Sequence, residues 1–299
     1  MLDPDAALLA LTTGVGYRRL DDLAVLTVTG KDRASWLNGV VTNDVRALVP
    51  GRGVYAAAVG VKGKLLADLW VHPEPERLRL VMPLDRREIV LAHFDRYLVM
   101  EDVTLTLDGA AVHSFQGPGA ATLEARYPRA VRADRLGRGG FDVLAADDDA
   151  DFAAWRDAAL AEGQAVAVDE AAWERARVLA NVPAWGRDFG PENYVQEASI
   201  TPRAVSFQKG CYLGQEVVCR LEMLGHVQRQ IVALRLEGAV PEAGAEVLHD
   251  GTAVGTVTSA VADPSEPGRV RALAMVRWAA LDKAWPLQVC GAPATVIGA

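Results

Sequence analysis

The 299-residue chain is 51% hydrophobic and 23% charged, which is typical of a soluble globular protein of about two domains. Its net charge of −8 argues against general nucleic-acid binding, which requires a basic surface, and no apolar run approaches the roughly 18 residues of a membrane span. The three cysteines, Cys211, Cys219 and Cys290, form neither an even set nor a CxxC pair. Together with an N-terminal sequence that is acidic rather than basic, this predicts reduced thiols in a cytoplasmic protein.

Strand-like and helix-like segments are interleaved without strict alternation up to Pro183. β-Branched or alternating apolar runs predict strands at 23–30, 54–60, 65–72, 78–83, 103–107, 111–115, 130–134 and 141–145. Amphipathic patterns with polar starts predict helices at 31–40, 84–99, 119–127, 151–163 and 169–182. This interleaving favours an α+β fold with antiparallel sheets.

The character of the sequence changes twice in its last third. From Pro183 to Thr201 the periodicity disappears while Gly, Pro, Asn and Asp accumulate, which indicates a long loop of the kind that often carries function. After Gly225 short strands follow one another, with a hairpin signal at Asp250–Gly251, and they predict a small β-barrel or sandwich. We therefore expect two interleaved α+β domains in 1–225 and a barrel domain in 226–299.

The stretch SFQKGCYLGQEVVCR, residues 206–220, is the strongest candidate for a site. Lys209 could favour the thiolate of Cys211, and the neighbouring glycines give the backbone freedom to expose it. The alternative is a small buried cysteine in a tight turn, because free cysteine is among the most buried residue types. Gln215 and Glu216 argue against that alternative, since a core turn has no use for them. Cys219 and Cys290 stand in apolar surroundings, and we expect both in the core.

Three further stretches contain polar residues in unexpected places. NGVVTNDV (38–45) places Asn43 just past a predicted helix, although Asn and Asp also serve ordinary turns. Asp68 lies on a predicted strand, where it must either face solvent or line a cavity. Glu197 belongs to the polar loop that leads into the cysteine stretch. Nucleotide-binding loops, zinc-ligand spacings and the GxSxG motif are absent from the sequence.

These stretches, in this order, resemble the YgfZ-type folate-binding proteins, relatives of the glycine-cleavage T-protein (aminomethyltransferase). KGCYLGQE is the specific signature, and the resemblance extends through GKDRASWLNGVVTNDV, GVYAAAVGVKGKLLADLWV and AVGTVTSA, from about Asp22 to the C-terminus. The resemblance implies a T-protein-like cloverleaf of three domains around a central folate channel, with the small β-barrel at the C-terminus. Region 1–225 would then be the folate-binding, T-protein-like part.

The resemblance also implies roles for individual residues. Asp68, Cys211 and Lys209 would act in the chemistry, with Asp68 facing the reactive nitrogens of tetrahydrofolate or of a one-carbon derivative. The residues expected to bind the folate are Tyr55, Asp68, Asn43, Glu197, Tyr212, Gln215, Glu216 and Arg229. Two departures weaken the case for glycine cleavage, because Leu179 replaces a glutamate of the T-protein pattern and GRGGF replaces its GYTGE-like segment.

The resemblance implies a cytoplasmic, folate-binding accessory protein of iron–sulfur cluster assembly or repair that indirectly supports tRNA-modifying iron–sulfur enzymes. Its partners would be iron–sulfur apoproteins or assembly factors, without direct contact to nucleic acid or membrane and without a metal site of its own, because one cysteine cannot hold a cluster. The alternative is a folate-dependent aminomethyltransferase or methyltransferase. A third interpretation is an interaction scaffold with a vestigial pocket.

Overall fold

A computed structural model describes residues 4–298 of the chain, and its elements mix helices with antiparallel sheets. The helices are α1 (Pro4–Thr13), α2 (Arg33–Val40), α3 (Arg87–Asp95), α4 (Ala120–Glu124), α5 (Ala150–Ala161), α6 (Glu170–Leu179), α7 (Thr201–Ala204), α8 (Gln215–Met223) and α9 (Trp278–Asp282), with a 3-10 turn at Leu84–Arg86. The strands are β1 (Gly16–Leu20), β2 (Leu23–Thr29), β3 (Val54–Val59), β4 (Leu65–Pro73), β5 (Leu78–Pro83), β6 (Thr104–Asp108), β7 (Ala111–Gln116), β8 (Val131–Arg132), β9 (Gly140–Ala145), β10 (Val166–Ala167), β11 (Arg229–Glu237), β12 (Glu246–His249), β13 (Thr252–Ala262), β14 (Arg269–Arg277), β15 (Leu287–Val289) and β16 (Ala292–Gly298).

The chain divides into two compact units. The first runs to Gly60 and includes Leu66–Ala176 and Arg203–Leu213, while the second comprises Val61–Leu65, Arg177–Pro202 and the residues from Gly214 onward. The barrel strands all lie beyond residue 225, and the second unit also takes in two earlier segments. The domain boundary at 225/226 therefore stays a prediction.

The first unit contains two sheets of five strands, in the orders β3-β4-β5-β2-β6 and β10-β1-β7-β9-β8. Strand β4 shows why the first sheet buries one face: Ala67, Leu69 and Val71 enter a core cluster, while Asp68, between Ala67 and Leu69, keeps partial exposure. This is the period of two that places alternate side chains on opposite faces of a strand. Asp68 consequently points away from that core.

The second unit contains the closed barrel β11-β14-β13-β12-β15-β16. Its interior is filled by small and branched apolar side chains such as Val232, Leu234, Val257 and Val276, which suit a narrow barrel. The barrel confirms the predicted C-terminal β architecture. Among the described residues, 4–298, no helix is long and apolar enough to cross a membrane.

Several predicted elements differ from the structure at their ends. The helix predicted over 84–99 begins as the 3-10 turn and ends at Asp95, and the strand predicted over 130–134 is reduced to β8. Helix α8 was not predicted, although Val217, Val218 and Leu221 have helical spacing. It begins after Gly214, whose left-handed backbone (φ 77°) is readily adopted only by glycine.

Candidate functional site

The centre of the site is a short hydrogen bond between neighbouring strands of the first unit. The hydroxyl of Tyr55, on β3, donates to Oδ2 of Asp68, on β4, at 2.6 Å. Burial raises the pKa of the Asp68 carboxyl, while the Tyr55 hydrogen bond and the charges of Arg135 and Arg203 oppose that rise. Burial and the nearby Asp68 carboxylate raise the pKa of Tyr55 well above its ordinary value. The pair is thus a partly desolvated acid with a phenol that stays protonated.

Aromatic rings and guanidinium groups surround this acid pair. The ring of Trp70, two residues after Asp68 and on the same face of β4, lies 5.5 Å from that of Tyr55. Arg203 lies over the Tyr55 ring at 5.4 Å, and Arg135 lies over the Trp70 ring at 5.8 Å. These are cation–π distances. The arrangement joins a hydrogen-bonding carboxylate to two largely buried aromatic rings flanked by positive charge.

The turn after α2 fixes both the Tyr55 strand and the segment that carries Arg203. Nδ2 of Asn43 donates to the carbonyl oxygens of Tyr55 (2.8 Å) and Arg203 (3.0 Å), and its Oδ1 accepts from the backbone of Asp44. Thr42 Oγ1 donates to the carbonyl oxygen of Ala204 at 2.6 Å. The Asn43 side chain is therefore committed to hydrogen bonds within the chain, and it acts on the site by positioning Tyr55.

Lys209 is buried and its ammonium group closes the C-terminal end of α2. Its Nζ donates to the carbonyl oxygens of Asn38 (2.6 Å), Val41 (2.7 Å) and Asn43 (2.9 Å). An ammonium has three hydrogens, and cations are favoured where helix carbonyls lack partners. Burial lowers the pKa of Lys209 to about 8, with Asp44 acting in the opposite direction. Lys209 is therefore still cationic at neutral pH, and these contacts give it a structural role.

Cys211 lies at the exposed tip of the segment that Lys209 anchors. On its other side the backbone N–H of Leu213 donates to the carbonyl oxygen of Gly39 at 2.9 Å, and the ring of buried Tyr212 lies 4.9 Å from Nζ of Lys209. The alternative that Cys211 is buried in a tight turn is therefore wrong, because this cysteine is exposed. Within the described part of the chain, no hydrogen bond joins Lys209 to the Cys211 thiol.

The expectation that the other two cysteines are core residues is also wrong. Cys219 is half-buried on α8, and Cys290 is exposed. Cys290 has a positive φ of 49° in the turn before β16. Its apolar neighbours in the sequence belong to a barrel hairpin, and the turn between the strands lifts the cysteine out of the interior.

The remaining predicted site residues belong to the second unit. Glu197 is buried, accepts from the backbone N–H of Tyr194 at 3.1 Å, and forms ion pairs with Arg229 (3.6 Å) and Lys64 (3.8 Å). Gln215 and Glu216 form the first turn of α8 and are half-buried and exposed, respectively. Arg229 and Glu197, which the resemblance assigns to folate binding, therefore form an ion pair with each other.

Trp70, Arg135 and Arg203 were missed from the sequence. Trp70 could have been found, because it follows Asp68 by two residues on a predicted strand and so shares its face. Arg135 stands in a bend and Arg203 in the four-residue helix α7, and no sequence signal identified either residue. Among the described residues, no group of three or more His, Cys, Asp or Glu side chains could hold a metal ion.

Comparison with known proteins supports this fold. Residues 228–298 match the family model described as CAF17, C-terminal beta-barrel domain. The chain is 29% identical over 249 residues to the tRNA-modifying protein YgfZ of Sodalis glossinidius, covering 77% of this chain and 74% of that protein. It is also 29% identical over 254 residues to the mitochondrial iron–sulfur cluster assembly factor IBA57 homolog of Mycosarcoma maydis, covering 76% of this chain and 58% of that longer protein.

The fold as a whole matches a solved structure. The crystal structure of the glycine cleavage system aminomethyltransferase T from Bartonella henselae superposes with a TM-score of 0.85, covers 100% of this chain and 89% of that chain, and is 19% identical in sequence. This likeness establishes the fold, while the sequence relatives are named as a tRNA-modifying protein and an iron–sulfur cluster assembly factor homolog. The chain therefore has the T-protein fold, and its sequence is similar to those of YgfZ and IBA57 proteins.

Proposed function

We propose that the protein is a tetrahydrofolate-binding accessory factor of iron–sulfur cluster assembly or repair, acting in the cytoplasm and indirectly supporting tRNA-modifying iron–sulfur enzymes. The observation that carries the proposal is the Tyr55–Asp68 hydrogen bond in the same compact unit as the exposed Cys211 segment. Relatives named as a tRNA-modifying protein and as an iron–sulfur cluster assembly factor support the cellular role.

The residues around Asp68 suit a folate. A pterin ring offers N–H groups to a carboxylate and a flat face to aromatic side chains, and Asp68, Tyr55 and Trp70 supply both. The guanidinium groups of Arg135 and Arg203 supply positive charge for carbonyl or carboxylate oxygens of such a ligand. When bound, tetrahydrofolate would supply a carrier for a one-carbon unit, in a state that the chain's residues do not specify.

Cys211 supports the iron–sulfur part of the proposal as an accessible thiol. Because iron–sulfur clusters require about four protein ligands, a single exposed cysteine suits a transient or partial contact with a cluster donor. The partner would be an iron–sulfur apoprotein or an assembly factor that supplies the other ligands. With a net charge of −8, direct binding to nucleic acid is not part of the proposal.

Calorimetry with tetrahydrofolate tests the folate part. We expect the wild type to release binding heat and to gain thermal stability, because a ligand that binds only the folded state stabilises it. Asp68→Ala should lower the affinity by about tenfold or more, which corresponds to about 1.4 kcal/mol. Asp85→Ala, which changes an exposed aspartate of the same unit, should bind like the wild type. A saturating titration of wild type with neither heat nor stabilisation would rule folate binding out.

The second candidate function is folate-dependent aminomethyl or methyl transfer, favoured by the partly desolvated carboxyl of Asp68. Leu179, at the end of α6, and the GRGGF segment, residues 137–141, weigh against glycine cleavage, because they replace polar positions of the T-protein pattern. We expect the purified protein to transfer no aminomethyl group from a lipoyl carrier to tetrahydrofolate. Multiple turnovers in that assay would favour the enzyme over the accessory factor.

A further inference from the structure

A buried charge cluster lies next to the acid pair in the first unit. Asp142, on β9, is fully buried and accepts hydrogen bonds from Nε (3.0 Å) and Nη2 (2.6 Å) of Arg135. Nε2 of His72, at the end of β4 and also fully buried, lies 3.4 Å from Oδ2 of Asp142. Burial by itself would raise the pKa of Asp142, but Arg135 and His72 bring it down to about 2. Asp142 is therefore an anion throughout the neutral range.

This cluster holds the Arg135 guanidinium in one orientation. A paired contact of Nε and Nη2 with one carboxylate fixes the plane of the group, and a buried carboxylate makes loss of its partner unfavourable. The backbone of Arg135 is fixed as well, because its N–H donates to Oε1 of buried Gln116 at 2.9 Å. Gln116 in turn donates to the carbonyl oxygen of Ala133 at 2.8 Å. Arg135 is thus constrained through both its backbone and its side chain.

Because side chains alternate along β4, the constrained guanidinium of Arg135 lies on the strand face that also carries Asp68. Asp68, Trp70 and His72 are two residues apart on one strand and share a face. Arg135 contacts His72 indirectly, through Asp142, and lies over the ring of Trp70. The guanidinium is therefore placed on the Asp68 side of the cluster, close enough for its charge to act on that carboxyl.

We propose that Arg135 is a positioning residue of the Asp68 site, and that Asp142 and His72 hold its guanidinium against Trp70 so that it sets the electrostatic potential at the Asp68 carboxylate. The relevance of that potential to a ligand depends on the proposed folate site. The arrangement of Arg135 itself belongs to the protein without ligand.

Other groups also act on Asp68, and they limit the effect of Arg135 on its pKa. Tyr55 on β3 donates a hydrogen bond to it, and Arg203 on α7 contributes a second positive charge. Because Asp142 neutralises part of the charge of Arg135, the position of the guanidinium, as well as its charge, determines how strongly it acts. Removing Arg135 should therefore raise the pKa of Asp68, while Arg203 and Tyr55 keep that rise limited.

The test is a pH titration of the Asp68 carboxyl by NMR on ¹³C-labelled protein without folate, with the signal assigned by Asp68→Asn. In Arg135→Met we expect the pKa of Asp68 to rise by on the order of one unit. Arg135→Lys keeps the charge but cannot make the paired contact with Asp142, so its shift should be intermediate. Arg79→Met removes another buried guanidinium of the same unit, one paired with Asp108 and Glu74, and should leave the Asp68 titration unchanged.

The outcomes separate this inference from the proposed function. An Asp68 titration in Arg135→Met that matches the wild type would overturn the inference. If Arg135→Met does not fold, the Asp68 titration in Arg135→Lys is the deciding measurement. A titration identical to the wild type in Arg135→Lys would show that the paired contact with Asp142 does not determine where the charge lies, which would overturn the inference. A shifted titration in a protein that binds no tetrahydrofolate would refute the folate proposal while supporting the role of Arg135.

Discussion

Lys209 and Asn38 lie 171 positions apart in the chain, and the ammonium of Lys209 donates to the carbonyl oxygen of Asn38 at 2.6 Å. The same ammonium bonds the carbonyl oxygens of Val41 and Asn43, so the segment before Cys211 is fixed to the end of α2. Asn43 also holds the Tyr55 strand. One turn therefore positions both the acid pair and the segment that carries the exposed thiol.

Replacement of Lys209 by methionine should loosen the Cys211 segment. Lys209→Met leaves three carbonyl oxygens without their donor, and each buried one costs about 1–3 kcal/mol of folding free energy. The backbone N–H groups of Ser206 and Leu213 donate to Thr42 and Gly39, so their hydrogen exchange should accelerate about tenfold or more. Lys31→Met, an exposed lysine of the same unit, is the control. Exchange at Ser206 and Leu213 as slow as in the wild type would contradict the role of Lys209 as an anchor.

The exposed thiols give a second prediction. Cys211 should be alkylated in the native protein much faster than half-buried Cys219, because buried thiols react slowly. Cys211→Ser should keep the fold and folate binding but abolish support of iron–sulfur enzymes in cells. Cys290→Ser, which changes the other exposed cysteine, should support them fully. Normal enzyme activity with Cys211→Ser would show that the thiol has no part in the function.

Sequence patterns predicted the structural features that depend on residues close together in the sequence. The face of β4 that presents Asp68 follows from alternation alone, and the barrel follows from short strands with a hairpin signal. The contacts of Lys209 with the end of α2 and of Arg135 with Trp70 span long sequence separations and leave no periodic trace. The exposure of Cys290 was missed because its apolar neighbours are barrel strands, whereas its own backbone forms the turn between them. Long-range hydrogen bonds and turn geometry are the parts that required the structure.

A third prediction concerns a buried ion pair in the second unit. Asp188 accepts from Arg177 at 2.6 Å, from Thr258 at 2.6 Å and from Ser259 at 2.7 Å, and both charged residues are buried. Asp188→Ala removes the carboxylate beside a buried guanidinium and should lower the free energy of unfolding by about 3–5 kcal/mol. Urea titration measures this change. Glu88→Ala, in an exposed ion pair of α3, should change the free energy of unfolding by no more than about 0.5 kcal/mol. Equal effects of the two substitutions would show that the buried pair contributes no more to stability than the exposed one.

The last prediction follows from His113 on β7, which is buried among aromatic rings. Its Nδ1 shares a hydrogen bond of 2.8 Å with the hydroxyl of Tyr17, and its ring lies 4.4 Å from that of Phe152. Burial, followed by the charges of Arg19 and Arg156, lowers the pKa of His113 to about 4. The folded protein therefore holds this imidazole neutral at pH values where the unfolded chain already binds a proton.

The sign of the pH dependence follows from this difference in proton binding. Well above about pH 6.5, the ordinary histidine pKa, His113 is neutral in both states and does not make the free energy of unfolding depend on pH. Between about pH 6.5 and 4 the unfolded chain takes up a proton that the folded protein does not, so the free energy of unfolding should fall by up to about 3 kcal/mol. His113→Phe should remove this part of the acid sensitivity, measured as the difference in slope between urea unfolding series at several pH values. His226→Phe, which changes an exposed histidine, should retain the wild-type slope, and a His113→Phe protein with that same slope would show that His113 is not the group responsible.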